Sequence, residues 1–190
     1  MAVLTASKIT VKEFFEMDLE EGYDYDLING IILRTQSSVN KKPPKPIHQN
    51  ASMNLSRILS VHVFENKIGK LFASPIDVFF DDYNNTQPDI LFITKEREFI
   101  ITDNGIEGAP DLIVEILSPS TFKRDKKEKF DLYMRFGVSE YWIVDPYYKS
   151  IEVFELENNN YKLAFEASES GIIQSKVLKD FSLEISAIFD

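Results

Sequence analysis

The sequence predicts a mixed α/β (α+β) domain. Three observations carry that reading: Asn29-Gly30 stands between two β-prone runs, apolar residues recur at helical spacing from Ile47 to Lys67, and β-prone segments flank a charged helical stretch at 121–136. A length of 190 residues fits one domain, residues 1–190, and an apolar content of 44% with fifteen Phe supplies material for a core.

Taken in order, VKEFFEMDL (11–19) has helical spacing, and YDYDLINGIILRTQ (23–36) reads as an N-terminal hairpin, because Asn-Gly supplies the two positive-φ positions of a tight turn. The stretch Lys41 to Pro46, KKPPKP, is expected as an exposed basic loop, since proline fits neither a helix interior nor a central strand. Ile47, Ala51, Leu55, Ile58, Leu59 and Val63 then define one buried helical face, with Gly69 expected to end that helix. LFASPIDVFF, QPDILFI after an Asp81-to-Thr86 turn, and PDLIVEILS after a loop holding Gly105 and Gly108 are expected as neighbouring strands of one sheet. Thr121 to Phe136 reads as a surface helix with Phe130, Tyr133 and Met134 inward and Gly137 as terminator. SEYWIVDP, SIEVFEL and YKLAF follow as strands, the last two turned by Asn158-Asn159-Asn160, before a mixed C-terminal segment.

Composition excludes several chemistries. With no cysteine there is no disulfide, iron–sulfur cluster, thiolate zinc site or cysteine nucleophile, and with only His48 and His62 a histidine-rich metal centre is out of reach. Any metal must sit on oxygen, the ligand set of Mg²⁺, Mn²⁺ or Ca²⁺. A net charge of −10 argues against nonspecific coating of nucleic acid while leaving room for a local basic groove. Apolar runs are soon broken by charge or proline, so no membrane span is expected, and the opening MAVLTASKITVKEF lacks the pattern of a secretory signal, so a cytoplasmic location is expected.

Two carboxylates interrupt apolar strands: Asp89 in QPDILFI and Glu115 in PDLIVEILSPS. Such a charge must be paired, protonated, exposed at a strand end or bound to a cation. Two of them in adjacent predicted strands shift the balance toward a shared cation. Asp111 shares a strand side with Glu115 and is read as a solvated strand start rather than a third ligand. Directly afterwards, residues 122–136 hold Lys123, Arg124, Lys126, Lys127, Lys129 and Arg135 against three acids, a positive surplus. Lys129, one residue before Phe130 and one turn before Tyr133, is the candidate inward lysine. Ser118, Ser120 and Thr121 read as turn and cap residues, because no GxSxG context surrounds them.

Pro88-Asp89, then Glu115, then a lysine resembles the PD-(D/E)XK nuclease superfamily. More narrowly, YDYDLINGIIL, QPDILFI, GAPDLIVEILSPST and DKKEKFDLYMRFGVSEYWIVDP, spread between Thr10 and Phe154, are similar to the Uma-type restriction endonucleases. The resemblance implies a restriction-endonuclease-like central mixed sheet flanked by helices and a Mg²⁺- or Mn²⁺-dependent endodeoxyribonuclease acting on DNA, with a homodimer as the form suited to cutting two strands. By position it places Asp89 and Glu115 as metal ligands, adds the Ile116 backbone carbonyl, and gives His48 and Asp26 accessory places. The superfamily lysine would stand at residue 117, which is Leu117 here, and the resemblance assigns its role to Lys129. Lys123, Arg124, Lys126 and Lys127, helped by Lys41, Lys42 and Lys45, are expected to contact nucleic acid. The competing readings are a catalytically inactive binding module on the same fold and, with little support from one Trp, a glycosidase built on Asp89 and Glu115.

Overall fold

The computed structural model describes residues 8–36, 46–119 and 121–190. Lys41, Lys42, Lys45 and Ser120 lie outside the described residues.

Helix α1 (Val11–Glu16) opens with a capping box, in which Thr10 and Glu13 each satisfy the other's backbone amide. Strands β1 (Tyr23–Ile28) and β2 (Ile31–Gln36) pair antiparallel with Ile28 opposite Ile31, so Asn29 and Gly30 form the whole loop, at φ 57° and 74°. Those are the angles the dipeptide was expected to supply. Helix α2 (Pro46–Asn66) buries Ala51, Leu55, Leu59 and Val63. Its end differs from expectation: Lys67 takes the left-handed position at φ 53°, and Gly69 opens the next strand. A Cβ on Gly69 would stand 2.0 Å from the Ile93 carbonyl oxygen, so close strand approach is what requires glycine there.

The run LFASPIDVFF divides between β3 (Gly69–Ala73) and β4 (Val78–Asp81), which join different sheets. The Asp81–Thr86 segment is a turn leading into β5 (Asn84–Thr86), paired back on β4. Next come β6 (Ile90–Thr94), a 3₁₀ turn (Lys95–Ile100), β7 (Ile101–Thr102), β8 (Gly105–Glu107) and β9 (Leu112–Ile116). The expected charged helix follows, with a π-helical turn at Arg124–Lys129 leading into α3 (Phe130–Arg135). The chain closes with β10 (Glu140–Asp145), β11 (Ser150–Glu157), β12 (Asn160–Ser168), the ribbon β13 (Ile172–Gln174) and β14 (Ser182–Glu184), and α4 (Ser186–Phe189).

The central sheet has the order β12-β11-β10-β9-β6-β3 and is mixed: β9 and β10 are parallel, joined through the helix, and its other pairs are antiparallel. Strand alternation sorts its residues between two cores. Ile90, Phe92, Val114, Ile116 and Trp142 face α2 and the C-terminal segment. Leu91, Ile93, Ile113, Leu117, Tyr141 and Ile143 face α3 and the second sheet, β2-β1-β5-β4-β8-β7. The N-terminal hairpin belongs to that second sheet, whose β4 and β5 sequence reading had assigned to the first sheet and to a turn.

On the α2 side, fully buried Glu140 accepts from Trp142 Nε1 and from the backbone amides of Lys176 and Val177, at 2.8 and 3.2 Å, and so ties the C-terminal segment to β10. Glu140→Ala leaves three donors without their acceptor, the Trp142 indole among them fully buried. Unfolding in urea should show a loss of about 3 kcal/mol, and an unchanged midpoint would mean that water replaces the carboxylate at no cost.

Candidate active site

The geometry starts from one register. Strands β6 and β9 run antiparallel with Ile90 opposite Val114, and the next step of that ladder sets Asp89 against Glu115. Both then point to the α3 side, by alternation from Leu91 and Ile113. Asp89 Oδ2 accepts the Ile116 amide at 2.7 Å, which pins its carboxylate to the end of β9. His48, in the first turn of α2, places Nε2 2.9 Å from the Ile116 carbonyl oxygen and 3.8 Å from Asp89 Oδ2. A carbonyl only accepts, so Nε2 carries the proton; the buried Nδ1 has no hydrogen-bond partner among the described residues. His48, Asp89 and the Ile116 carbonyl therefore meet at one point, with Asp89 partly open at 23% side-chain exposure.

The helix brings the cations. Lys129 is buried, and its Nζ lies 2.8 Å from Glu115 Oε1, 3.7 Å from Asp125 Oδ1 and 3.9 Å from Asp26 Oδ2. Arg124 Nη1 lies 2.8 Å from that same Asp26 Oδ2. In an α-helix, residues five apart point about 140° away from each other. The π turn, with its i→i+5 bonding, brings Arg124 and Lys129 to one side, and so to one carboxylate. Tyr133 completes the cluster: its hydroxyl donates to Glu115 Oε1 at 2.7 Å and lies 3.2 Å from Thr86 Oγ1.

Burial pushes the Glu115 carboxyl up to about 8, with Asp125 and Asp89 acting in the same direction and Lys129 opposing them. Burial likewise raises Asp125. For Lys129 burial works downward, but Asp26, Glu115 and Asp125 outweigh it and hold the ammonium above its ordinary value. Four carboxylates, Asp26, Asp89, Glu115 and Asp125, thus face two cations, Arg124 and Lys129. When all are ionised, two negative charges lack a partner, a deficit that one divalent ion matches in sign and size. The donors suit a hard cation: the Asp89 carboxylate, the Ile116 carbonyl, and Glu115 Oε2, since among the described residues both hydrogen bonds to Glu115 fall on Oε1. Among the described residues no three His, Asp or Glu side chains form a ready-made cage, so any ion here would complete its shell with water or substrate oxygens.

The other expected residues separate. Arg124 is no outward phosphate contact, because Asp26 holds it inward at 14% side-chain exposure. Lys126 is paired with Glu152, whereas Lys123 and Lys127 face solvent. Asp111 is not solvated: it is buried at the far end of β9, bonded to Thr94 and to Arg97 at 2.8 Å. Leu117 packs in the α3-side core, so the strand position where the superfamily carries lysine is filled by an apolar side chain. Sequence reading overlooked Asp125 and the Tyr133 hydroxyl. Their signal was present, since 125, 129 and 133 step by four along one helical face.

The mixed sheet and its flanking helices form a fold shared with a solved structure. A crystal structure described as a putative nuclease belonging to DUF820, from Anabaena variabilis ATCC 29413, superposes with a TM-score of 0.74 over 95% of this chain and 97% of that one, at 21% identity. The protein sll1609 of Synechocystis sp. (strain ATCC 27184 / PCC 6803 / Kazusa), described as uncharacterized, is 27% identical over 160 residues, 82% of this chain and 85% of its own length. Residues 11–186 match the Uma2 family, described as "Putative restriction endonuclease", and the chain belongs to that family. Among the described residues no helix is long and apolar enough to cross a membrane.

The raised Glu115 carboxyl sets a pH dependence in the metal-free protein. As pH climbs from about 4.5 toward 8, the unfolded chain releases this proton while the folded one keeps it, so stability drains away across that window. Glu115→Gln abolishes the drain. Measured by urea unfolding in EDTA, the variant's stability relative to the unsubstituted protein should improve by on the order of 1–3 kcal/mol between pH 5 and pH 8. A difference that stays flat would mean Glu115 is ionised throughout.

Proposed function

We propose that this protein is a Mg²⁺- or Mn²⁺-dependent endonuclease that hydrolyses phosphodiester bonds of DNA. The observation that carries the reading is the convergence of Asp89 and Glu115 on one sheet face with a buried lysine delivered from the helix. A bound divalent ion supplies charge relief at the phosphoryl group and activation of water, the demands of phosphodiester hydrolysis. Asp89, Glu115 and the Ile116 carbonyl would hold that ion. His48 orients the Ile116 carbonyl through Nε2, and Asp89 is oriented by the Ile116 amide. Lys129, kept protonated by Asp26, Glu115 and Asp125, offers a fixed positive charge to the phosphoryl oxygens as negative charge builds on them. Asp26 also holds Arg124, so the accessory acid of the hairpin serves both cations.

On a chain of net charge −10, DNA has to be received locally, and the outward Lys123 and Lys127 beside the site are the cations open to phosphates. Cutting both strands of a duplex calls for two copies about a two-fold axis, and a dimer on DNA follows from this reading. Two observations favour the alternative of an inert nucleic-acid- or protein-binding module: Leu117 replaces the strand lysine, and Lys129 is ion-paired to a would-be ligand.

Purified protein should cut DNA with Mg²⁺ or Mn²⁺ and stop in excess EDTA, and DNA binding should weaken steeply with salt. Lys129→Met, which strands the buried Asp26, Glu115 and Asp125 carboxylates, should be less stable; assayed below its melting temperature it should lose roughly 10²–10³ in rate, whereas Lys127→Met should weaken binding modestly and spare turnover. Cutting that survives EDTA, or equal effects of the two substitutions, would defeat the assignment. Absence of both cleavage and Mn²⁺ binding would favour the inert module.

A further inference from the structure

We infer that Tyr133, backed by Thr86, is a positioning residue that fixes the rotation of the Glu115 carboxylate, so that Oε1 is held by the protein and Oε2 is presented to the cation beside Asp89. The inference rests on the metal-dependent reading above and adds to it a part played by the second sheet.

Tyr133 is fully buried, its ring set against Phe80 and Tyr141 at centroid distances of 5.6 and 5.2 Å. The ring therefore has one place to put its hydroxyl. That hydroxyl donates to Glu115 Oε1, and Thr86 Oγ1, in reach at 3.2 Å, is left to donate to Tyr133. The direction of the chain is Thr86 to Tyr133 to Glu115. A buried tyrosine needs one partner, and Thr86 alone could satisfy it. The second bond instead goes to the carboxylate oxygen that Lys129 already holds, at 2.8 Å. Two donors on one oxygen fix the carboxylate's torsion more firmly than either alone, and they direct the other oxygen away from α3. Thr86 lies on β5, paired with Val78 and buried, so the support comes from the second sheet, across the core from β9. Partners that hold a ligating carboxylate in this way set how well the site is preorganised.

The test uses the full chain with Tyr133→Phe and Thr86→Val, both of which keep the buried volume. Calorimetric titration with Mn²⁺ alone should show a weakening of about 10–100-fold for Tyr133→Phe and a smaller one for Thr86→Val. The double variant should be no worse than Tyr133→Phe, because both act through one oxygen. With DNA, kcat should fall alongside metal affinity while KM for DNA holds. Unchanged Mn²⁺ affinity in a folded Tyr133→Phe, accompanied only by a lower melting temperature, would make Tyr133 a packing residue and overturn the inference while leaving the nuclease reading intact. Should Tyr133→Phe fail to fold, Thr86→Val decides alone on the same criterion. Lack of Mn²⁺ binding by the unsubstituted protein would overturn the metal reading itself, and this inference with it.

Discussion

A buried ammonium held among three carboxylates is the interaction on which the rest of this structure depends. Lys129 draws Glu115 from the central sheet, Asp125 from its own helix and Asp26 from the N-terminal hairpin toward one point. Each of those groups alone would be a costly buried charge. Together they bind three elements distant in sequence, and they require the helix to carry a π turn, because Arg124 must also reach Asp26. The price in regular helix geometry is local and the gain is a shared anchor for both sheets.

The two faces of the central sheet solve the same problem differently. On the α2 side, Glu140 is buried but answered by an indole and two backbone amides, donors that cannot leave. On the α3 side, Glu115 is answered by an ammonium and a phenol, with one oxygen left over and an anionic surplus around it. The first arrangement is closed and holds the C-terminal segment in place. The second is incomplete by charge, and that incompleteness separates a site from a strut.

Much of this was legible in the sequence, and the reason is local chemistry. Asn29-Gly30 and the Ile47–Val63 repeat announced a hairpin and a helix, the carboxylates inside apolar strands pointed to a candidate site, and the inward turn of Lys129 was readable from its place at the edge of an aromatic face. What failed was long-range. In LFASPIDVFF the Ser74-Pro75 pair marks a break in the strand but not a move to a different sheet, and the burial of Asp111 depends on Arg97, fourteen residues earlier. Arg124 looked like one surface cation among six because α-helical periodicity points it away from Lys129. Only the π turn reverses that, and helical periodicity cannot foresee a turn that breaks it. The Tyr133 ring reads as core, and only its four-residue step from Asp125 and Lys129 points to a use for the hydroxyl.

The placement of the lysine on the helix, with Leu117 on the strand, has one more consequence. A lysine two residues along the strand would travel with its carboxylate through any rearrangement, since both ride on one rigid ladder. Here carboxylate and ammonium come from separate elements, and they meet only when the helix is seated on the sheet. Fraying of that one helix would dismantle the constellation. The cluster is therefore complete only when the tertiary structure is, and a half-folded chain carries the acids without the ammonium.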